Sequence, residues 1–373
     1  MKRDHDSQGP LNELGFYLLA GHSDNPAELI EQVRAAEAMG LGAGFISERY
    51  NVKDATTLCG AAAAVSSRLG IATAATNHCT RHPMITATFG MTMHKLSGGR
   101  FSLGLGRGIA PLFKSMGVAP VTSKQLSEAA AVYRRLWRGE KIAGYDGALG
   151  KYPLLQLLGA YDEHIPVSLV AMGEKTQELA GRCMDAVYLH TYFGDLAVEK
   201  AVAAVRRGAE QAGRDPASVR IWSILATVGD HIPQEARLKK TIGRLASYLR
   251  GYGDVLVAAN EWDPAILARF RNDPLIKEFK GAIDAVATPA QLEVIGELIP
   301  PEWLQIAALG TPEQCAGAIQ HQLDLGCDSV ILHGATPEEL APILPAYRAI
   351  RKPQFASKPA NPGWNHAEAG RGA

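Results

Sequence analysis

The chain lacks any imbalance of charge. Lysine plus arginine number 38 and aspartate plus glutamate 38 over 373 residues. There is no net field to draw in nucleic acid or an anionic membrane, and no basic stripe or RNP-like motif takes its place. No stretch nears 18 consecutive apolar residues, which excludes an ordinary transmembrane helix. The opening "MKRDHDSQGP" has no apolar run and does not read as a signal peptide. Cysteine is sparse: five, scattered as Cys59, Cys79, Cys183, Cys315 and Cys327, with no C-x-x-C pair. That excludes a disulfide framework and a zinc cluster, and points to reduced thiols in the cytoplasm. H-x-H and H-E-x-x-H spacings are also missing, so no metal site is expected.

Apolar residues make up 47% of the chain, enough for a substantial core. A short phrase recurs through it: helix, glycine, strand. "NPAELIEQVRAAEAMG" offers Asn25 as cap, Pro26 at the first helical position, Glu28 three residues after the cap and Gly40 as stop. "TPEQCAGAIQHQLDLGCDSVILHG" repeats this with Thr311, Pro312 and Gly326, and "TPEE" opens one more helix at Thr336. Strands are expected near 14–20, 44–48, 70–76, 101–105, 166–170, 185–189, 219–226 and 328–332. Eight strands, each followed by a helix, is the count of an α/β (β/α)8 TIM barrel. An open doubly wound sheet is the rival, because alternation alone does not prove closure. Residues 106–165 and 228–310 are too long for simple connections and read as insertions after strands 4 and 7, placed to cover a barrel mouth. The expected organisation is a polar segment 1–13, one barrel domain 14–351 and a loosely held Pro/Ala/Gly-rich tail 352–373.

In such a barrel the reacting groups sit at the C-terminal strand ends. Those ends carry His22; Glu48-Arg49-Tyr50-Asn51; Asn77-His78; Gly106-Arg107-Gly108; Met172 to Thr176; His190; and His333. Imidazoles converging on one mouth suit proton transfer near neutral pH. "GLGRG" (Gly104–Gly108) lacks the third glycine of a dinucleotide fingerprint and fits a tight turn between strands. "AMGEKT" (Ala171, Met172, Gly173, Glu174, Lys175, Thr176) joins a strand to a helix. The free N–H groups of Gly173, Glu174 and Lys175 would form an anion site there, of the kind used for cofactor phosphates.

Residues 68–108 carry two ordered motifs, Thr80-Arg81-His82-Pro83 and Leu96-Ser97-Gly98-Gly99-Arg100, after a strand thinned to Ala and Thr. In this the chain resembles the bacterial luciferase-like flavin and deazaflavin oxidoreductases. The resemblance runs over roughly 14–230 and 311–350. It implies that Ala74, Ala75, Thr76 and Asn77 wall the slot for a tricyclic ring, with a non-prolyl cis bulge at Ala74–Ala75, and that the strand-5 turn takes the cofactor phosphate. Arg107 counts with these cofactor-binding residues. The compact chain favours coenzyme F420 over FMN, hence hydride transfer between the deazaflavin C5 and a small-molecule substrate, in a protein that is commonly a homodimer. The alternatives are an FMN-dependent monooxygenase using O2 and a non-catalytic ligand-binding barrel.

Two departures from the family stand out. Many members have His after the acidic residue ending strand 2, where this chain has Arg49. The sugar-phosphate dehydrogenases have Glu where it has Ile109. The proton donor is therefore sought among His78, His190 and His22, or Glu48 if burial raises its pKa, with Arg49 binding an anionic substrate or the cofactor edge.

Overall fold

The computed structural model describes residues 9–50, 52–159 and 161–366. The start of the polar segment (1–8), Asn51 and the end of the tail (367–373) lie outside the described residues.

Eight parallel strands make the wall: β1 (Leu11–Tyr17), β2 (Leu41–Ile46), β3 (Gly70–Thr73), β4 (Phe101–Leu105), β5 (Val167–Val170), β6 (Ala186–Tyr188), β7 (Arg220–Gly229) and β8 (Ser329–His333). Each pairs with the next, and β8 returns to β1 with Leu14 opposite Val330. The sheet is closed, so the barrel holds and the open sheet falls. β1 and β2 begin three residues earlier than expected. Burial starts at Leu11, so the barrel extends into the supposed polar segment, and β1 ends before a corner where Leu19 and Gly21 take positive φ.

Inside the wall lies one compact layer: Ala43 and Phe45, Ala72 and Ala74, Ala186 and Tyr188, Trp222 and Ile224, with Ile331. These are alternate positions on their strands, as the pleat requires. Phe45 meets Trp222 and Tyr188 edge-on at 4.9 and 5.3 Å. The alanines make room for these three rings, which is one reason β3 is thin. Gly104 adds to it: a Cβ there would fall 1.8 Å from the Thr73 carbonyl oxygen and 2.8 Å from the Tyr188 ring.

The helices pack outside. Thr122, Thr288, Thr311 and Thr336 each close a full capping box with the residue three places on. Asn25 does not cap the first helix. It accepts from the Ala27 N–H in a preceding turn, and the helix runs Glu28–Ala38. The insertion after β4 holds the Ser123–Trp137 helix and an antiparallel hairpin, Ile142–Gly147 with Gly150–Leu155. The one after β7 is helical, its longest element Arg244–Asn260, until Ala308–Gly310 extends the sheet beside the end of β7.

The tail is not loose through residue 366. It folds across the floor of the barrel, where Arg220 at the start of β7 donates to the carbonyls of Pro359, Asn361 and Trp364. Trp222 Nε1 donates to the Pro362 carbonyl, and Asn361 to those of Gly99 and Phe101. Proline and glycine kept the segment irregular, but buried donors on the strands hold its carbonyls in one path.

Candidate functional site

The strand ends open a mouth with two unlike sides. On the β3 side the Ala74–Ala75 peptide is cis, as expected. Ala74 N–H bonds the Ile46 carbonyl, and the Ala75 carbonyl accepts from Glu48 N–H. Thr76 continues the pairing towards β4, with its N–H on Gly104 and its carbonyl on Gly106 N–H. The methyl of Ala75 is the partly exposed surface of this bulge.

Behind it sits a buried ion pair. Both Glu48 oxygens accept from the Arg81 guanidinium; one also accepts from Thr76 Oγ1 at 2.7 Å and the other from Ala55 N–H at 3.2 Å. Arg81 reaches on to Asp54 at 3.0 Å. The bond to Glu48, against the cost of burial, holds the Arg81 pKa above its ordinary value. Glu48 is thus spent inside the wall, and so is the Thr76 hydroxyl. Asn77 is likewise engaged, giving to the Gly106 carbonyl and accepting from Tyr50 Oη, both at 2.7 Å. His78 differs. The residue is 5% exposed, and neither ring nitrogen has a hydrogen-bond partner among the described residues. Burial alone lowers its pKa.

The opposite side is aromatic and basic. The Arg244–Asn260 segment presents Arg244 and Tyr248, four residues apart on one helical face, and Tyr252 at a kink in the helix, its ring 5.2 Å from that of Tyr248. Tyr252 Oη lies 3.1 Å from His190 Nε2, and Tyr248 Oη 3.3 Å from His333 Nε2. His190 Nδ1 is 2.9 Å from the Thr191 carbonyl, which can only accept. The neutral ring therefore carries its proton on Nδ1, and Nε2 accepts from Tyr252. Burial pulls the His190 pKa down to about 4. It also lowers that of His333, aided by the charge of Arg244.

His22 points elsewhere, to Asp284 Oδ2 at 2.9 Å. The same oxygen meets Arg244 at 2.9 Å, and Ser247 Oγ donates to Oδ1. Burial would raise the Asp284 pKa, but the His22 bond and the Arg244 charge hold it at about 2. Lys53, 4% exposed, gives its ammonium to the carbonyls of Leu19 and Gly21. Arg49 pairs with Lys53 through backbone only, and its exposed guanidinium has no partner among the described residues.

At the third corner, Gly173 begins the Glu174–Cys183 helix without a side-chain cap. The first N–H groups to bond back are those of Thr176 and Gln177, both on the Gly173 carbonyl. Arg107 crosses from β4 to this turn, holding the Val121 carbonyl at 2.6 Å and Ser123 at 2.8 Å, with Thr176 Oγ1 at 3.5 Å. Ala171 is buried and its N–H is used by Tyr188, while Glu174 turns away to Arg207. Met172 is half-buried, its carbonyl held by Gln177; Lys175 is exposed.

The structure joins Arg107 to the Gly173 turn through Thr176, and sets Arg49 and His190 within electrostatic reach of His333. It sets Glu48, Thr76 and Asn77 into the wall, and His22 onto Asp284. Sequence reasoning missed Lys53, Arg244, Tyr248, Tyr252 and Asp284, and Tyr17, whose ring stands edge-on to that of His333 at 5.3 Å. Among the described residues, no group of three metal-ligating side chains occurs, no cysteines are bonded, and no helix is long and apolar enough to cross a membrane.

Comparison with known proteins fits this architecture. A 5,10-methylenetetrahydromethanopterin reductase of Methanolobus tindarius is 27% identical over 315 residues, covering 83% of this chain and 90% of its own. An F420-dependent glucose-6-phosphate dehydrogenase of Segniliparus rotundus is 24% identical over 343 residues, covering 87% and 92%. The solved structure of the coenzyme F420-dependent tetrahydromethanopterin reductase of Methanopyrus kandleri superposes with a TM-score of 0.72 at 21% identity, over 92% of this chain and 99% of that one. The family described as luciferase-like monooxygenase matches residues 7–329. The chain belongs to that family of oxidoreductases.

Proposed function

We propose that this protein is an F420-dependent oxidoreductase acting on a small organic molecule. The observation that carries the reading is the two-sided mouth. A flat wall ending in the Ala75 methyl and an uncapped helix start beside Arg107 face two tyrosine–histidine pairs across the opening. The names of the relatives support the choice of F420.

The residues fit such a group. The Ala74–Ala75 peptide and the Ala75 methyl offer a surface without side-chain bulk, the Ala74 methyl itself being packed inside the barrel. Gly173, Glu174 and Lys175 have helix-start N–H groups, and a Cβ at Gly173 would meet nothing within 4 Å, so a phosphate has room to approach. His78 has two ring nitrogens in want of a partner, a buried polar group that costs about 1–3 kcal/mol if left alone. When bound, the deazaflavin supplies a carbon that gives or takes a hydride.

The chain's own groups do the rest. Glu48 and Arg81 stiffen the wall from behind. His190 stays neutral at physiological pH and orients the Tyr252 hydroxyl, so a proton can be held at that oxygen beside the substrate. The short helix after β4 (Ala110–Ser115), with its caps, exposes Ile109, Leu112 and Met116, apolar residues able to shed water on closure.

The test is a titration with F420 and, separately, with FMN, followed by cofactor fluorescence and by heat. Saturable F420 binding that weakens about tenfold or more in Arg107→Ala supports the reading. Binding of FMN with none of F420 would replace it with oxygen-dependent chemistry. Binding of neither would remove the cofactor slot altogether.

A further inference from the structure

The basic corner at the β1–β2 side of the mouth is not used by the reading above. Three cations meet there. Lys53 and Arg244 both abut the backbone at Gly21: Lys53 donates to its carbonyl at 3.2 Å, and a Cβ on Gly21 would lie 3.7 Å from Arg244 Nη2. Arg49 is tied to Lys53 by the two backbone bonds of an antiparallel bridge, which sets the two side chains next to each other. Its charge bears on Tyr17, Tyr252 and His333, so it stands over the mouth.

Among the described residues, one carboxylate answers these three cations. Asp284 is taken by Arg244, His22 and Ser247, and the next acid, Glu48, is taken by Arg81. Among the described residues, Lys53 has only neutral carbonyls for hydrogen-bond partners, although its side chain is buried. A buried ammonium without a counter-charge is costly, and a chain of zero formal net charge has concentrated an excess of two positive charges at this point. Burial, with the charges of Arg49 and Arg244, brings the Lys53 pKa down to about 8. An anion arriving here would settle all of these terms at once.

We propose that the substrate carries an oxyanion, a carboxylate or a phosphate, which Arg49 and Lys53 receive while Arg244 lines the corner. This rests on the reading of the mouth as a cofactor-plus-substrate site and adds the class of substrate. Arg49 suits the task, because its planar fork offers two parallel N–H bonds to a carboxylate or phosphate edge. The hydroxyls of Tyr17, Tyr248 and Tyr252 then face whatever part of the substrate extends towards the tyrosine–histidine pairs.

The experiment measures binding rather than turnover. Inorganic phosphate and, in a second series, succinate are titrated into the purified protein by calorimetry at constant ionic strength set with chloride, with and without saturating F420. The expected result is saturable binding of at least one probe that persists with F420 present. It should weaken about tenfold or more in Arg49→Gln and in Lys53→Met, with F420 affinity unchanged in Arg49→Gln. Arg49 is exposed, so that variant folds even if Lys53→Met does not. Absence of binding, or binding indifferent to Arg49→Gln, overturns the proposal. So does binding abolished by F420, which would assign the anion to the Gly173 turn. Failure of F420 to bind would instead strike the cofactor reading, and the cofactor-free titration would still report on this corner.

Discussion

Replacing Arg220 with methionine isolates what closes the barrel floor. Arg220 is 0% exposed, and its hydrogen-bond partners among the described residues include no carboxylate. It gives Nε to Ser329 Oγ at 2.9 Å, Nη1 to the carbonyls of Pro359, Asn361 and Trp364 at 3.0–3.2 Å, and Nη2 to that of Asn12. It also lies 4.4 Å from the Trp222 ring. Burial brings its pKa down to about 10, so it stays charged. Hydrogen bonds from a charged group are worth about 1.5–3 kcal/mol each, and removing the ion returns several kcal/mol of desolvation. The net loss is about 3–5 kcal/mol, because five acceptors are left facing methylene groups. At about 2.1 cal/mol/K per residue, the unfolding entropy of a chain this long is about 0.8 kcal/mol/K, so Tm should fall by about 4–6 °C. The assay is a thermal melt of Arg220→Met in the full chain and in a chain ending at Lys352. In the shortened chain Arg220 has already lost three acceptors, and the same substitution should cost far less. An equal cost in both backgrounds would show that Arg220 does not work through the tail. F420 affinity should be unaffected, since the floor is the other end of the barrel from the mouth.

Further outcomes follow from the mouth. His190 titrates at about 4 in the folded chain against about 6.5 unfolded. Between those values the unfolded state binds the extra proton, so its contribution is full above pH about 6.5 and is lost as pH falls towards 4, at up to about 1.4 kcal/mol per unit. Urea midpoints from pH 4.5 to 7.5 should flatten in His190→Gln, and an unchanged slope would deny that the imidazole is held neutral. Arg81→Met leaves Glu48 buried without its counter-charge and should cost about 3–5 kcal/mol. Glu48→Gln in that background should restore part of this, and full additivity of the two in thermal melts would mean the pair is not coupled.

How far the sequence spoke depends on whether a feature was local. The barrel was legible because its signals are: glycine stops, threonine–proline caps and short apolar runs repeat at one spacing, and closure is what eight such units do. The thin half of β3 was legible for the same reason, though Thr76 and Asn77 turned out to face the wall. Histidines at strand ends could be listed, but their partners could not. Tyr248 and Tyr252 come from an insertion whose helices dock by tertiary packing alone, and no period in the chain says which face of such a helix turns inward. His22 reads like His190 in the sequence, yet meets Asp284, 262 positions away. The tail misled because composition was read without its donors. Pro, Gly and Asn make a segment irregular, and an irregular segment is ordered whenever buried N–H groups collect its carbonyls. The sign of that lay at the other end of the contact, in "VRIWS" (Val219–Ser223): an arginine on a strand otherwise destined for the barrel interior must find acceptors there, and the tail provides three.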